Sequence, residues 1–597
     1  MKKILFLIAI LLLATEALWA AHIDENRARE IARAFFAAKA TRSAGVDVEL
    51  EWAGNNLANR ATTSAATIDN KPTLYIYNRA DNLGFVIIAG KECSNPIVAY
   101  SDKAEFDYSN MAPSTRAILD AWSRQIEAYT EENGTAMQAA DLAAEGQGNV
   151  VCIYDTALWD QSAPYNNECP NINGSRAVTG CVATAMAIIC HYNQWPKKGT
   201  GTTPSYSYTD EYEYRDHTIK ANTLGRSYDY NKMLHNYSTA NYTTAQGNAV
   251  AALMYDMGTS VQMMYHYIAS GTFSELVPSA MSTYFSYSKE AILCRRDGYS
   301  AKEWYNILKT NIDKCGPSLY SGAGNEGGHA FVVDGYTDKN YFHFNFGWSG
   351  SNNGYYRTPE IEFYEGQDII LNLVPDKDNT SEYTDYLTLT EYQWGSFYFY
   401  GIIPYSETIE QGKPFSVLVG CISNDGIVTF TGDVAIVLCD KSDNIKEIID
   451  GGHITELDPY YLTYAEFEDI TINSTIEPGD VLRIAYKGNN PDEWQIMRGS
   501  SENTVDKIML YDTNIIAKNL TLRYDKNYKN SGKRAIIIGS KVAVDYVCRP
   551  SNGGNVIAQG RCNSGEECAI VINSTSSLEM TLELTNGSAT HSINITL

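Results

Sequence analysis

A cysteine attacks only as its thiolate, and the first turn of a helix stabilises that anion without any metal, because unpaired backbone N–H groups and the positive end of the dipole face the sulfur. The stretch AVTGCVATAMAIICHY, residues 177 to 192, offers that arrangement. Thr179-Gly180 interrupts regular structure, and VATAMAIIC, rich in strong helix formers and apolar on every side, predicts a buried central helix with Cys181 in its first turn. Taken alone, Cys181 is equally well a packed core thiol. What separates the two readings is a base within reach.

GAGNEGGHAFVVDGYTDKNYFHFNFGWSG, residues 322 to 350, supplies a candidate in His329. The runs HAFVVDGY and YFHFNFGW flank the turn-prone TDKN and predict an antiparallel hairpin. A turn centred between Asp338 and Lys339 places Trp348 across from His329, Phe346 across from Phe331 and Phe344 across from Val333. His329 then lies on an apolar face, where a histidine is ordinarily a core residue. Gly327 and Gly328, however, remove side-chain bulk where a substrate backbone would approach, which a core histidine does not need. His343 pairs with Asp334 on the opposite face and reads as structural. Asn345 follows His329 at a distance suited to fixing an imidazole, yet this register turns it away; Trp348 fits the register, and a bulge would exchange the two.

A third piece lies upstream, in LWDQSAPYNNECP, residues 158 to 170. Acyl transfer through a Cys/His pair develops an oxyanion, and the usual donors to it are the backbone N–H of the nucleophile and a side-chain amide. Gln161 is the candidate amide, although a lone glutamine in a loop is weak evidence. Together the three stretches resemble streptopain and its relatives, a family of secreted papain-like cysteine peptidases. The resemblance runs in order over residues 22 to about 375: an inhibitory pro-domain, the WDQxxPYN segment, the TGCVATAxAxI helix, the GGHAFVxDG strand and the HxNxGWxG strand.

That resemblance implies Cys181 as nucleophile, His329 as general base and acid, and Gln161 with the Cys181 N–H as oxyanion hole. It implies substrate contacts at Gly328 and, in the loop YHYIASGTFS (265 to 274), at Ser270. It also implies a preference for a hydrophobic side chain two residues before the scissile bond. Where the family commonly carries a tryptophan this chain has Phe346, with Trp348 retained, so the group that orients His329 stays open between Trp348 and Asn345. No metal or other cofactor is required.

The elements that must position these residues divide the chain, since 597 residues exceed one ordinary core. Residues 1 to 20 read as a secretory signal, with Lys2-Lys3, the run ILFLIAILLLA and small residues up to Ala20, so the mature protein is expected outside the cell or on the surface of a bacterium. Residues 21 to 149 are expected to hold an α+β pro-domain. Asp24 caps a helix bearing Ala28, Ile31, Ala32, Phe35 and Phe36; LYIY (74 to 77), FVIIA (85 to 89) and IVAY (97 to 100) are strands; Pro113-Ser114 opens a helix carrying Ile118, Leu119, Trp122, Ile126 and Tyr129. Residues 132 to 149, small and acidic, read as a cleavable linker, which is the layout of a zymogen.

The expected fold class is α+β, with a papain-like catalytic domain over 150 to 375 made of a helical part and an antiparallel β part. PDKDNTSEY (375 to 383) reads as a second linker. Beyond it, runs such as FSVLVG, VAIVLC, VLRIAY, NLTLRY, AIIIG and LEMTLEL predict two Ig-like β-sandwich domains, 376 to 513 and 514 to 597.

A net charge of −25 argues against nucleic acid and anionic lipid as partners. The expected partners are protein or peptide substrates, the chain's own pro-domain as intramolecular inhibitor, and a host or cell-surface ligand for the C-terminal domains. The twelve cysteines contain no CxxC pair; they leave room for one or two bridges, with Cys562 and Cys568 nearest in sequence, but not for a structural zinc site. The competing reading is a peptidase-like surface binding or adhesion protein that has lost activity. Intact Cys181, His329 and Gln161 count against it.

Overall fold

Asp24 accepts a hydrogen bond from the Arg27 amide (2.8 Å) and opens helix α1, Glu25–Lys39. In the computed structural model residues 22 to 126 are described in part and 148 to 596 for the most part; the longest stretches outside are 1–21, 55–70, 127–147 and 511–519. The signal segment and nearly all of the 132 to 149 linker therefore lie outside the described residues. Ile23, Ala28, Ile31, Ala32 and Phe35 are fully buried, and α1 lies against strands β2 (Leu74–Arg79) and β3 (Phe85–Ala89). The sheet is antiparallel, with β1 (Val48–Gly54) beside β2 and β4 (Ile97–Ser101) beside β3. Strand β1 lacks a sequence signature: its alternation breaks at a register shift between Leu50 and Trp52, and only Val48 in it is buried. The described positions between 115 and 126 are helical, with Leu119, Trp122 and Ile126 buried; Ile118 and Tyr129 lie outside the described residues.

The chain forms two compact units, one of residues 1–110, 118–149 and 519–597, the other of 111–117 and 150–518. In the second, helix α2 (Cys181–Asn193) is buried on every side from Val182 to Cys190, as its all-round apolar sequence requires. It packs against α3 (Thr244–Ser260) and against a mixed-length antiparallel sheet. The sheet comprises β5 (Val150–Ile153), β6 (Ile292–Arg295), β7 (Ser318–Gly324), β8 (Gly327–Thr337), β9 (Tyr341–Asn345), β10 (Gly354–Arg357) and β11 (Glu365–Leu371). Its order is β10-β9-β8-β7-β11-β6, with β5 also on β8. Ala330 and Val332 of β8 join the core around α2. On the alternate face Phe331 meets Tyr320, which meets Trp304 of the helix Ala301–Cys315. Between these elements helix Leu276–Phe285 follows the loop that contains Ser270.

The stretch 375 to 383 is not a free linker. Asp376 N donates to Ser286 O (2.9 Å) and Lys289 N to Ser381 Oγ (3.0 Å), so the polar residues that suggest mobility are instead spent on hydrogen bonds to the peptidase segment. Residues 387 to 509 form a small two-stranded sheet (Tyr392–Trp394 with Phe397–Phe399) and two five-stranded sheets; inner residues of the two larger sheets, among them Val417, Val419, Val434, Ile436, Leu482 and Ile484, share one core. Two long strands here, Ile445–Leu457 and Leu462–Ile470, carry no strand signal in the sequence because both are largely exposed and the first contains Gly451-Gly452. Residues 520 to 596 form a three-stranded and a four-stranded antiparallel sheet. The sulfurs of Cys562 and Cys568 lie by different main-chain carbonyls, Ile538 O (3.4 Å) and Arg561 O (3.5 Å).

Candidate active site

Gly180 makes the turn from which Cys181 starts α2. Its φ of +85° is one that only glycine adopts freely, and a Cβ there would stand 2.5 Å from Met263 Sδ and 3.1 Å from Ser270 O. The turn is locked from within: Thr184 N and Thr184 Oγ1 donate to Gly180 O (3.0 and 2.9 Å), and the Thr184 hydroxyl meets that of Thr179 (2.8 Å). The sulfur is thereby fixed at a helix N-terminus beside His329. Burial opposes ionisation of Cys181. The charge of His329, its hydrogen bond, and the amides of Ala330 and Val182 outweigh that penalty and hold the thiol below its ordinary value. Burial pushes Cys169, Cys190 and Cys439 up to about 12, so acidity belongs to this site rather than to the chain's thiols in general.

The hairpin of β8 and β9 carries His329. Val332 pairs with Asn345 and Val333 with Phe344, the expected register; one residue slips at Asp334, after which Gly335 pairs with His343. The bulge is real but lies on the turn side of Val333, so it leaves the parity at His329 untouched. His343 Nδ1 still reaches Asp334 Oδ1 (2.5 Å), though from a shifted position. His329 is buried against Phe331 and Trp348, with ring centroids 6.0 and 6.2 Å away. Its Nε2 lies 3.2 Å from Phe346 O and 3.4 Å from Trp348 Nε1. The Phe346 carbonyl accepts from the imidazolium, and the Trp348 N–H donates to Nε2 of the neutral ring, which leaves Nδ1 for the thiol in both states.

Asn345 does not touch His329. Its Nδ2 donates to Thr156 Oγ1 and Ala157 O, both at 2.9 Å, and its Oδ1 accepts from Gly347 N (3.2 Å). Trp348→Phe is therefore expected to lower kcat about tenfold with little change in KM or melting temperature, while Asn345→Ala is expected to lower the melting temperature first, because it orphans buried partners. Steady-state kinetics beside thermal melts separates the two. Equal losses of kcat at unchanged stability in both variants would refute this division of roles.

Gln161 is buried, and its carbonyl accepts from Thr179 N (3.1 Å), two residues before the nucleophile. Asp160, the acidic residue of the WDQxxPYN segment, to which the sequence assigns no role, joins this loop to the tryptophan segment: it accepts from Gln161 N (2.6 Å), Ser162 N (3.2 Å) and Ser349 Oγ (2.9 Å). The carbonyl of Phe346 is equally unreadable, since main-chain groups leave no sequence signature. Ser270 spends its hydroxyl on main chain, donating to His266 O (3.0 Å) in its own loop or to Val178 O (2.8 Å) just before the Gly180 turn, and accepting from His266 N (2.9 Å). Its carbonyl oxygen also faces the Gly180 turn. From there the loop runs to β7, the strand beside β8, where Ser274 Oγ meets Ser321 Oγ (2.9 Å), next to the Gly322 that pairs with His329. Ile268 and Phe273 on this loop are 58% and 66% exposed. Gly328 is exposed, and a Cβ on it would find nothing nearer than Gly322 O at 3.9 Å. Among the described residues no group of three or more His, Cys, Asp or Glu could hold a metal ion.

An acidified thiol beside an imidazole that keeps a partner in both protonation states is the working pair of a cysteine peptidase. The chain belongs to the Peptidase C10 family, which matches residues 159–356, and residues 20–126 match the Spi protease inhibitor family. It is 30% identical over 370 residues to the thiol protease/hemagglutinin PrtT of Porphyromonas gingivalis, over 59% of this chain and 41% of that protein, so it spans under half the length of that relative. It is 29% identical over 358 residues to streptopain of Streptococcus pyogenes, over 57% of this chain and 85% of streptopain. Among solved structures it is similar to interpain A cysteine protease of Prevotella intermedia, at 30% identity over 38% of this chain and 95% of that one, with a TM-score of 0.34.

Proposed function

We propose that the chain is a secreted cysteine endopeptidase made as a zymogen. The observation that carries this reading is the placement of Cys181 at the N-terminus of α2 beside His329, whose Nε2 is held by Phe346 O and Trp348 Nε1; the lowered thiol agrees with it. Thiolate Sγ adds to the scissile carbonyl, and the oxyanion is received by the Cys181 N–H and the Gln161 side-chain amide. His329 gives its proton to the leaving amine as the C–N bond breaks, which leaves a thioester on Cys181. Water, losing a proton to His329, adds to the thioester and releases the carboxylate product and the thiolate. The exposed Ile268 and Phe273 beside Ser270 support a hydrophobic side chain two residues before the scissile bond.

The match of residues 20–126 to an inhibitor family supports an N-terminal segment that acts as an intramolecular inhibitor. The C-terminal region, two five-stranded sheets sharing a core over 387 to 509 and seven strands over 520 to 596, supports the reading of two Ig-like domains with boundaries near 376 and 514.

The test is the pH profile of iodoacetamide labelling at Cys181. A depressed thiol pKa keeps more of the thiolate populated as the pH falls, so labelling at Cys181 should fall less between pH 8 and pH 6 than that of an ordinary thiol, which loses about tenfold per unit below its pKa. His329→Ala should move the profile upward. A wild-type profile that follows a free thiol, together with no hydrolysis of casein under reducing conditions after the N-terminal segment has been trimmed, would instead favour an inactive binding protein.

A further inference from the structure

The helix Leu276–Phe285 is held at both ends by residues from the last turn of the peptidase segment and from beyond it. At its C-terminal end the partners are Val374, Asp376 and Ser381: Ser288 N donates to Val374 O (2.8 Å), and the Asp376 and Ser381 bonds are those described above. At its N-terminal end Glu275 is gripped twice. Tyr460 Oη donates to its carbonyl oxygen (2.9 Å). Arg295 Nη2 donates to its carboxylate (3.0 Å) while Arg295 Nη1 donates to Asp425 Oδ2 (2.8 Å).

Asp425 and Tyr460 belong to the β-rich segment 387 to 509, and both are themselves fixed. Asp425 accepts from Thr388 Oγ1 (2.8 Å) and Ser423 Oγ (2.6 Å). Tyr460 has a φ of +66°, a conformation that a residue with a side chain keeps only where its surroundings impose it. Arg498 adds a second fastening, between Glu303 (3.3 Å) and Asp443 (3.0 Å).

Glu275 is where the Ser270 loop enters the helix, directly after Ser274. We infer that the 387 to 509 segment is a working part of the peptidase: Asp425 and Tyr460 are positioning residues that act through Glu275 to hold the Ser270–Phe273 wall against the Cys181 turn, and so set the affinity for a polypeptide substrate. This rests on the peptidase reading above. The wall is a loop with few regular backbone bonds, and such segments follow whatever anchors their ends.

The experiment uses the full secreted chain carrying Tyr460→Phe, Asp425→Asn, or both. Hydrogen exchange of residues 265 to 275 is followed beside that of strand Phe415–Asn424, and peptide hydrolysis is measured with active sites counted by iodoacetamide. In the double variant the loop amides should exchange about tenfold faster while the strand stays protected. KM should rise about fivefold with kcat within about twofold, and Asp425→Glu should recover most of the affinity lost in Asp425→Asn. Tyr460→Phe removes a single hydroxyl and keeps the test meaningful should Asp425→Asn fold poorly. Unchanged loop exchange overturns the inference. So does faster exchange with unchanged KM, which would make the contact merely structural. A wild type that neither labels at Cys181 nor hydrolyses peptide would refute the peptidase reading instead, while loop exchange still decides whether Glu275 is the anchor.

Discussion

Cys181→Ala is expected to retain the fold and to lose peptide hydrolysis by about four orders of magnitude or more. The residue occupies the first turn of α2, where alanine is the best helix former, and its side chain is only half-buried, so melting should shift little. The partners of His329 on the far side of the ring, Phe346 O and Trp348 Nε1, remain in place without the sulfur. A fall in kcat at preserved stability therefore reports the missing nucleophile. The same variant should fail to shed its N-terminal segment in a time course followed by mass, unless wild-type enzyme is added. Hydrolysis within tenfold of wild type would show that the sulfur is not the attacking atom.

The second large effect is expected at Gly328→Val. Inside the protein a side chain there meets open space, the position is exposed, and valine suits a strand, so stability should hold or rise. A substrate chain laid along β8 would meet the new methyl groups. Displacement by an ångström is enough for about a hundredfold loss of kcat/KM. Labelling of Cys181 by iodoacetamide, too small to need the cleft, should be unchanged. Comparing hydrolysis with labelling in one preparation checks this: unchanged kcat/KM would remove Gly328 from the substrate path, and a parallel loss of labelling would mean that the thiol itself had been disturbed.

What the sequence disclosed was what side-chain type and spacing encode. The all-round apolar stretch after Cys181 is a central helix, and the aromatic alternation of β8 and β9 sets the pairing of Val333 with Phe344. Asn345 and Trp348 could be told apart only by locating a bulge, and nothing in HAFVVDGY says that the extra residue falls at Asp334 rather than nearer His329. The Phe346 carbonyl was invisible because it is main chain, and the Asp160 bridge because the WDQxxPYN segment shows the carboxylate but not that it reaches Ser349, 189 residues away. The segment 375 to 383 misled because polar residues look alike whether they face water or accept hydrogen bonds from a neighbouring helix end. Strand β1 and the two long exposed strands after residue 440 escaped because burial, not backbone pairing, writes the pattern that sequence analysis reads.

The Peptidase C10 match stops at residue 356, yet β11, the strand inserted between β7 and β6, comes later, at Glu365–Leu371. A segment excised along that match would lose a central rung of its own sheet and leave β6 without a neighbour. The chassis that carries His329 is thus completed by residues beyond the matched stretch.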